Sequence, residues 1–285
     1  MSSQEAIMKA RITVLSENSV IKPGALIGEH GFSAYVERGD ERVLFDTGQG
    51  RTLVHNARLL GVDLASIKKV VLSHGHNDHT GGLAEFLMMG SEREIFAHPG
   101  IFSARYREVP QGPPIPIGIP FTRAYLEGLG AHFNLSEKPQ KVADGIMTTG
   151  VVPCETSFEK GDKTLLVGHE DGSCTPDPLS DDLSLVVEGE TGVAVLLGCA
   201  HSGLVNILNH VRKLLPDRPV KAVVGGTHLG LSSEEQMSAT IDAMAGMGVE
   251  KVGASHCTGL AGSARLREAL GDRFFFAGVG SVVEV

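Results

Sequence analysis

The sequence predicts an α/β fold, and three observations support this class. Apolar runs rich in β-branched residues alternate along the chain with segments of helical periodicity, an order typical of α/β proteins. The chain has 285 residues and is 42% hydrophobic, which is enough for one large core. Three apolar strands in its second half end in a small-residue turn that carries a histidine. Because α/β sheets form their sites at the carboxyl ends of strands, we expect these histidines to share one site.

The first half is predicted to begin with an antiparallel hairpin and to continue as alternating strands and helices. Its predicted strands are residues 10–15, 32–36, 42–45, 69–72 and 94–97. Gly39 and Asp40 provide the hairpin turn between the second and the third of these strands. Helices are predicted near 51–60 and, after a turn, in the segment 80–87. This order places residues 73–79 in a loop at the carboxyl end of a strand.

The second half repeats the alternation. Its predicted strands are residues 183–187, 192–197, 220–224 and 251–254, and its predicted helices are residues 204–215 and 233–247. The first two strands form a hairpin, and Ser233 provides a suitable N-terminal cap for the last helix. The last three strands are followed by His201, His228 and His256, which form the recurring pattern described above.

Two stretches between these halves are predicted to be irregular. Residues 110–120 hold five prolines in eleven residues, which excludes a helix or a central strand, and the insertion around them spans about 107–140. A second loose stretch covers residues 157–181. Long loops in compact domains are often binding loops or lids, so both are either walls of a substrate pocket or plain surface insertions. The whole chain, residues 1–285, is expected to form a single domain.

Composition favours a cytoplasmic protein that acts on small molecules. The 25 basic and 34 acidic residues give a net charge of −9 without a basic stripe, which argues against a nucleic-acid partner. No apolar run is long enough for a membrane span, and residues 1–9 lack the pattern of a signal peptide. The four cysteines show no paired spacing, as expected in a reducing compartment. Composition does not decide between a monomer and a homo-oligomer.

Residues 73–82 carry the most specific signal in the chain. They place His74, His76, Asp78 and His79 within six residues of one another, and these are residue types that bind zinc or iron. An extended backbone would direct His74 and His76 to one side, whereas a curling backbone would direct Asp78 and His79 to a second, nearby point. One loop would then serve two metal ions, which can share a hydroxide when they are about 3.5–4 Å apart. The alternative is a polar loop whose histidines face solvent.

The pattern His-x-His-x-Asp-His after an apolar strand resembles the signature of the metallo-β-lactamase superfamily. An early strand that ends in Asp46 and a glycine turn is also similar to that family. Three later turns resemble a narrower branch that includes dihydropterin-ribofuranosyl-aminobenzene-phosphate synthase, namely residues 198–203, 225–229 and 255–259. The resemblance extends from about residue 10 to the C-terminus. It implies a four-layer αβ/βα sandwich with a dinuclear site along one edge of its two sheets.

The resemblance also implies a set of ligands and cofactors. It assigns the first metal ion to His74, His76 and His201, and the second to Asp78, His79 and His256. Two divalent ions are therefore the expected cofactors, with Zn²⁺ favoured and Mn²⁺, Fe²⁺ or Mg²⁺ as alternatives.

The chain departs from the common superfamily pattern at the bridging ligand. The turn before Leu183 contains Asp181 and Asp182 but no histidine, and Cys199 occupies the strand end where an aspartate usually bridges the ions. His201 resembles a replacement ligand. A site without the bridging aspartate is one unit more positive, which favours anionic substrates and lowers the pKa of bound water. Cys199 is either a ligand or, as we favour from sequence, a small buried residue beside the ligands.

Three other residues carry weaker signals. Asp46 is expected to orient a ligand histidine, with the capping of a turn as the alternative. His228 exceeds the six implied ligands, so it either binds substrate and donates a proton or is a structural histidine. His98, after the next strand, is a candidate contact for a substrate phosphate or carboxylate. Asp78 and His228 are thus the candidate catalytic residues.

Pattern and resemblance together favour a dinuclear metal-dependent hydrolase. Metal-bound hydroxide would attack a small anionic substrate, phosphorylated or carboxylated, and the ions would stabilise the developing oxyanion. One alternative is a transferase similar to the dihydropterin-dependent aminobenzene-phosphate synthase. Another is a non-hydrolytic sensor or redox protein that uses the same metals. The fold does not decide among these three functions.

Overall fold

The computed structural model describes residues 8–285. In chain order its strands are β1 (Ala10–Ser16), β2 (Ser33–Arg38), β3 (Glu41–Phe45), β4 (Lys69–Val71), β5 (Arg93–Ala97), β6 (Arg105–Arg107), β7 (Ile115–Pro116), β8 (Ala131–Leu135), β9 (Lys141–Ala143), β10 (Ile146–Thr148), β11 (Leu165–Gly168), β12 (Cys174–Pro176), β13 (Leu185–Glu188), β14 (Val193–Leu197), β15 (Val220–Gly226), β16 (Lys251–Ser255), β17 (Phe274–Phe276) and β18 (Val282–Glu284). The α-helices are α1 (Leu53–Leu59), α2 (Asn77–Thr80), α3 (Leu83–Met88), α4 (Arg123–Gly128), α5 (Leu204–Leu214), α6 (Glu234–Gly246) and α7 (Gly259–Leu270). Short 3₁₀ helices cover Leu64–Ser66, Pro99–Phe102, Leu229–Leu231, His256–Thr258 and Gly271–Arg273.

Two seven-stranded sheets form the framework. Their strand orders are β18-β1-β2-β3-β4-β5-β8 and β17-β16-β15-β14-β13-β10-β9. In the first sheet β3, β4, β5 and β8 run parallel, and in the second β14 to β17 do so. The last strand of the chain, β18, pairs antiparallel with the first strand, β1, and Ile12 lies opposite Val283. Both sheets therefore contain a parallel half, and each parallel half has a carboxyl edge able to hold a site.

The sheets pack face to face, and helices cover their outer faces. One apolar core lies between the sheets and includes Ile12, Phe45, Leu196 and Val224. A second core joins α5, α6 and α7 to the outer face of one sheet, and a third joins α1 and α3 to the outer face of the other. All five residues of β14 are buried, as expected for a parallel strand covered on both sides. The predicted four-layer αβ/βα sandwich is confirmed.

The regular elements predicted from apolar patterns are present, with one local difference. The hairpin of β2 and β3, the helices α1, α5 and α6, and the parallel strands β4, β14, β15 and β16 lie within a few residues of their predicted bounds. The difference is α2, a single helical turn that begins inside the histidine loop. It forms because the His76 carbonyl accepts the amides of His79 and Thr80, and it places Asp78 and His79 beside His256.

The two stretches predicted to be irregular contribute strands to a third sheet, but the predicted insertion 107–140 is too long, because its residues 131–135 form β8 of the first sheet. The order of the third sheet is β12-β11-β6-β7, so strands from both insertions pair with each other, with Leu165 opposite Arg107. The proline-rich segment contributes only the edge strand β7, where a missing amide donor does no harm. The loop 157–181 is thus more ordered than its composition indicates.

The N-terminal stretch compared with signal peptides lies largely in residues 1–7, outside the described residues. Among the helices of residues 8–285, none has the length and apolar character needed to cross a membrane.

Candidate metal centre

The histidine loop leaves β4 at the carboxyl edge of the first sheet. Ser73 begins it, and its amide and hydroxyl both donate to Asp46, which ends β3 next door. The Gly75 amide donates to Asp181 at 2.8 Å, and a Cβ on this glycine would lie 2.4 Å from the Ile101 carbonyl oxygen. Glycine is therefore required between His74 and His76, and the loop is fixed on both sides.

His74, His76 and His201 form the first ligand triad. One ring nitrogen from each lies within 4.8 Å of the others, although His201 comes from the opposite sheet after β14. Burial and the neighbouring imidazoles hold the pKa of His74 well below its usual value, and burial lowers that of His76 to about 3. Burial likewise holds the pKa of His201 well below its usual value, so all three rings favour the neutral form that binds metal ions.

Unpartnered nitrogens in this triad show that the residues fit a metal ion. His76 Nε2 and both ring nitrogens of His201 are buried and have no hydrogen-bond partner among the described residues. An unpaired buried polar atom costs about 1–3 kcal/mol, so three of them in one place need an explanation. A divalent ion bound by His76 Nε2 and by one of the two His201 nitrogens would satisfy two of these three atoms.

Asp78, His79 and His256 form the second triad, beside the first. His256 Nε2 lies 3.2 Å from Asp78 Oδ2 and 3.3 Å from His79 Nε2. Burial opposes ionisation of Asp78, but His79 and His256 hold its pKa well below the usual value. Burial also opposes protonation of His79, yet Asp46 and Asp78 raise its pKa to about 9. This half of the centre therefore favours positive charge, as a bound cation would provide.

Residues behind the second triad fix the orientation of its rings. Asp46 Oδ2 lies 2.7 Å from His79 Nδ1, which leaves His79 Nε2 free to bind a metal, and this is the role expected of Asp46. Asn18 Oδ1 lies 2.9 Å from His256 Nδ1, and Glu17 accepts the His256 amide. Sequence reasoning missed Glu17 and Asn18, although they follow β1 directly, in the strand-end position that identified the histidines.

Two acidic residues before β13 support both histidine segments. Asp181 accepts the Gly75 amide and forms a buried ion pair with Arg105, whose guanidinium also reaches Asp177. Asp182 accepts the Ser202 amide at 2.8 Å, directly after His201. This turn has no histidine, and its carboxylates hold the two segments that bring His74, His76 and His201 together.

Cys199 lies between the two triads. It is buried at the end of β14, as predicted for a strand-end cysteine, with 4% of its surface exposed. Its Sγ is 3.2 Å from His79 Nε2, and it also lies within 4.8 Å of ligand atoms of His74 and His201. The structure thus places this thiol among the candidate ligands rather than behind them.

His228 lines the cleft beside the first triad, with its ring centroid 4.6 Å from that of His201. Its Nε2 faces Asp162 Oδ2 at 3.4 Å, and its amide donates to Cys257 Sγ at 3.2 Å. Burial opposes the charged form, but Asp162 and Cys257 raise the pKa of His228 to about 10. Asp162 lies in the loop 157–181 and had no sequence signal. These contacts hold the His228 ring at the wall of the cleft.

His98 lies outside the cleft although a substrate contact was expected of it, whereas His30 lies at the site although no motif indicated it. His98 does not line the cleft; its Nδ1 accepts the Gly100 amide and caps a 3₁₀ helix, so the expected substrate contact at His98 is not supported. His30 had no motif, yet its Nε2 lies 3.2 Å from Asp78 Oδ2 and its ring is 4.9 Å from that of His256. It lies at the exposed rim of the second triad.

Backbone strain marks the same edge. Asp46, Ala200, His228 and His256 all have positive φ, between 51° and 57°, and each follows the end of a parallel strand. Non-glycine residues rarely adopt this conformation, and they cluster at functional sites where the surrounding structure enforces it.

A cleft of about 270 Å³ opens over both triads. Its walls include His76, Asp78, Cys199, His201 and His256, and Leu231 at the rim. The third sheet adds Arg107, the one arginine or lysine among the described residues that line the cleft. The cleft thus contains candidate metal ligands and one guanidinium group.

Comparison with known proteins agrees with this architecture. The family model of the Metallo-beta-lactamase superfamily matches residues 26–123. The chain is 30% identical over 282 residues to the 7,8-dihydropterin-6-methyl-4-(beta-D-ribofuranosyl)-aminobenzene-5'-phosphate synthase of Methanocaldococcus jannaschii, with 96% of both chains covered.

Solved structures show the same fold. Tm1679, described as a metal-dependent hydrolase of the beta-lactamase superfamily, superposes with a TM-score of 0.82 at 28% identity, covering 97% of this chain and 99% of its own. The Zn²⁺-bound PqqB of Methylobacterium extorquens shares the fold at 11% identity, with a TM-score of 0.55 and coverage of 96% and 100%. With 30% identity to a relative over nearly its whole length and the superfamily's signature loop in place, the chain belongs to the metallo-β-lactamase superfamily.

Proposed function

We propose that this protein is a dinuclear metal-dependent hydrolase that acts on a small anionic substrate. The observation that carries the proposal is the pair of adjacent triads, His74–His76–His201 and Asp78–His79–His256. Each offers three ligand atoms, which leaves coordination positions open for water and substrate. Two bound divalent ions would activate a water molecule and polarise a substrate oxygen.

Residues of the chain would orient the ligands and handle the leaving group. Asp46 and Asn18 fix the tautomers of His79 and His256, so that both present Nε2 to the centre. His228 Nδ1 is buried without a hydrogen-bond partner in the described part of the chain, and its ring lines the cleft. This nitrogen is suited to donate a proton to the departing group.

Charge around the cleft supports an anionic substrate. Asp78 is the one carboxylate among the six proposed ligands, so two divalent ions leave the centre positive. No carboxylate of residues 8–285 pairs with Arg107, whose guanidinium stays available to a phosphate or carboxylate.

A transferase is the second candidate, because a relative at 30% identity is named as a synthase of a dihydropterin-containing phosphate. Against it, the described residues that line the cleft include no phenylalanine or tyrosine on which a pterin ring would stack. The Tm1679 description as a hydrolase weighs in the same direction. We therefore favour hydrolysis.

Metal content and turnover test the proposal together. Untagged protein is analysed by elemental mass spectrometry, then assayed on phosphodiester, lactone and thioester substrates and, separately, for formation of the dihydropterin-containing phosphate after which the synthase relative is named. We expect two divalent ions per chain and turnover that His76→Ala abolishes, with loss of at least one ion and little change in the circular dichroism spectrum. Two ions with formation of the synthase product would favour the transferase. Two irons without hydrolysis would favour a redox function, and full activity of His76→Ala would refute the site.

A further inference from the structure

Cys199 occupies a central position that the six-ligand assignment leaves without a role. Three groups of closely spaced ligand atoms share its Sγ: one with His74 and His79, one with His201 and His228, and one with His256 and Cys257. Within each group the atoms lie no more than 4.8 Å apart. One sulfur atom is therefore close to ligands from both triads.

The backbone holds this sulfur in place. Cys199 follows Gly198, where a Cβ would lie 2.1 Å from Ser73 Oγ, so the end of β14 packs directly against the start of the histidine loop. The unpartnered nitrogens of His76 and His201 show independently that this space is prepared for a ligand. Sulfur, ring nitrogens and the Asp78 carboxylate all face one small volume.

Charge balance favours a thiolate at this position. Two divalent ions with Asp78 as the sole carboxylate ligand would leave a strongly positive buried centre. A thiolate would remove one unit of that charge, as a bridging carboxylate would. Thiolate is also a stronger ligand than a neutral thiol for zinc and other soft ions.

We propose that Cys199 is a metal ligand whose thiolate would complete the set of ligands that the two triads offer. Metal binding would release the thiol proton of Cys199 to solvent, and a lone pair of Sγ would form the bond to the metal. The centre consequently prefers thiophilic ions such as Zn²⁺ or Co²⁺ over Mn²⁺ and Mg²⁺. This inference rests on the proposed function only in that both need bound metal ions. It does not require that the protein hydrolyse a substrate.

Cys257 provides a matched control, since it is a second thiol in the same cleft. Its Sγ accepts the His228 amide and lies 3.6 Å from the Cys199 carbonyl oxygen. Within residues 8–285, its one group of closely spaced ligand atoms contains Cys199 and His256 and no residue of the first triad. Cys154 and Cys174 are exposed, and both are replaced by serine in every sample to remove surface thiols.

Cobalt substitution tests the assignment. Chelator-treated protein is reloaded with Co²⁺, and the near-ultraviolet sulfur-to-cobalt charge-transfer band is recorded. We expect the band in the parent protein and in Cys257→Ser, and its loss in Cys199→Ser, with folding checked by circular dichroism. A band that persists in Cys199→Ser, or that disappears in Cys257→Ser alone, would overturn the proposal.

X-ray absorption on zinc-loaded Cys257→Ser provides a second test that leaves Cys199 intact. We expect a sulfur shell at about 2.3 Å, the usual zinc–thiolate distance. Two bound ions without that shell would overturn the Cys199 assignment while leaving the dinuclear centre standing. Protein that binds no ion would overturn both. In Cys199→Asp we expect Mn²⁺ to compete with Zn²⁺ better than in the parent protein.

Discussion

Asp46 shows how one carboxylate connects two parts of the centre. Its Oδ2 contacts both His79 Nδ1 and the Ser73 hydroxyl at 2.7 Å, and its Oδ1 accepts the Ser73 amide. In Asp46→Asn an amide replaces an ionised acceptor, so His79 becomes a weaker ligand. We expect a 10- to 100-fold loss of metal affinity with little loss of fold, as is typical when a residue behind a ligand is replaced. Metal-buffered titrations would measure it.

Ser33→Ala is a control for this prediction. The Ser33 hydroxyl donates to the Asp46 carbonyl oxygen and not to its carboxylate, so metal affinity should stay within a few-fold of the parent value. Unchanged affinity in Asp46→Asn would show that the contact between Asp46 and His79 is structural only.

At this scale the sequence predicts ligands better than it predicts their supports. His201, His228 and His256 could be predicted because each follows an apolar strand, and parallel strands bring their carboxyl ends to one edge. His30 and Asp162 lie in loops, where position depends on contacts far away in sequence, so no local pattern indicates them.

The third sheet contributes an arginine that should affect which substrates the protein binds. It brings Arg107, on β6, to the cleft, while Arg105 two residues earlier is buried against Asp177 and Asp181. Arg107→Ala should raise KM for anionic substrates about 10- to 100-fold, the cost of about 1.5–3 kcal/mol for a hydrogen bond to a charged group. Steady-state kinetics on matched charged and neutral esters would measure it. Equal effects on both esters would contradict a role in anion binding.

The sequence could not have shown this sheet. The proline content of residues 110–120 correctly excludes a helix and a central strand in that segment. However, β6, β11 and β12 are only three or four residues long, and the pairing of β6 with β11 joins segments that lie more than fifty residues apart. Such short strands are specified by their partners rather than by their own pattern of apolar residues.

The turn before β13 holds both histidine segments, so its loss should affect stability. Asp181→Ala leaves the Gly75 amide without an acceptor and removes one of the two carboxylates on the buried Arg105 guanidinium. We expect the free energy of unfolding to fall by about 3 kcal/mol, because the buried Gly75 amide loses its acceptor and the buried Arg105 guanidinium keeps only Asp177 as a partner. Urea unfolding of the metal-free protein would measure it.

An exposed ion pair provides the comparison. Glu127 pairs with Arg123 along α4 with both side chains about half exposed, so Glu127→Ala should change the free energy of unfolding by no more than about 0.5 kcal/mol. Equal effects of the two substitutions would mean that solvent reaches Asp181 and that the turn does not fix the histidine loop.

In the whole molecule, the proposed centre joins the two sheets at their carboxyl edges. His74, His76, Asp78 and His79 belong to the first sheet, whereas His201 and His256 follow strands of the second. Away from these edges, the two sheets pack against each other through buried apolar side chains from both halves of the chain. Ions held by both sets of ligands would bind the native state and not the unfolded chain, so metal binding should stabilise the entire sandwich.

Removal of metal should therefore lower the melting temperature of the whole protein in one transition. At a free metal concentration of about 1,000 times Kd, binding contributes about 4 kcal/mol, which corresponds to a shift of about 5–15 °C. Differential scanning calorimetry with and without a chelator would measure it, and re-addition of Zn²⁺ should restore the original value. His76→Ala, with fewer ions to lose, should respond less to the chelator. If metal-loaded protein of measured stoichiometry melts at the same temperature with and without chelator, the ions do not join the two sheets, and ligands from one sheet alone must hold them.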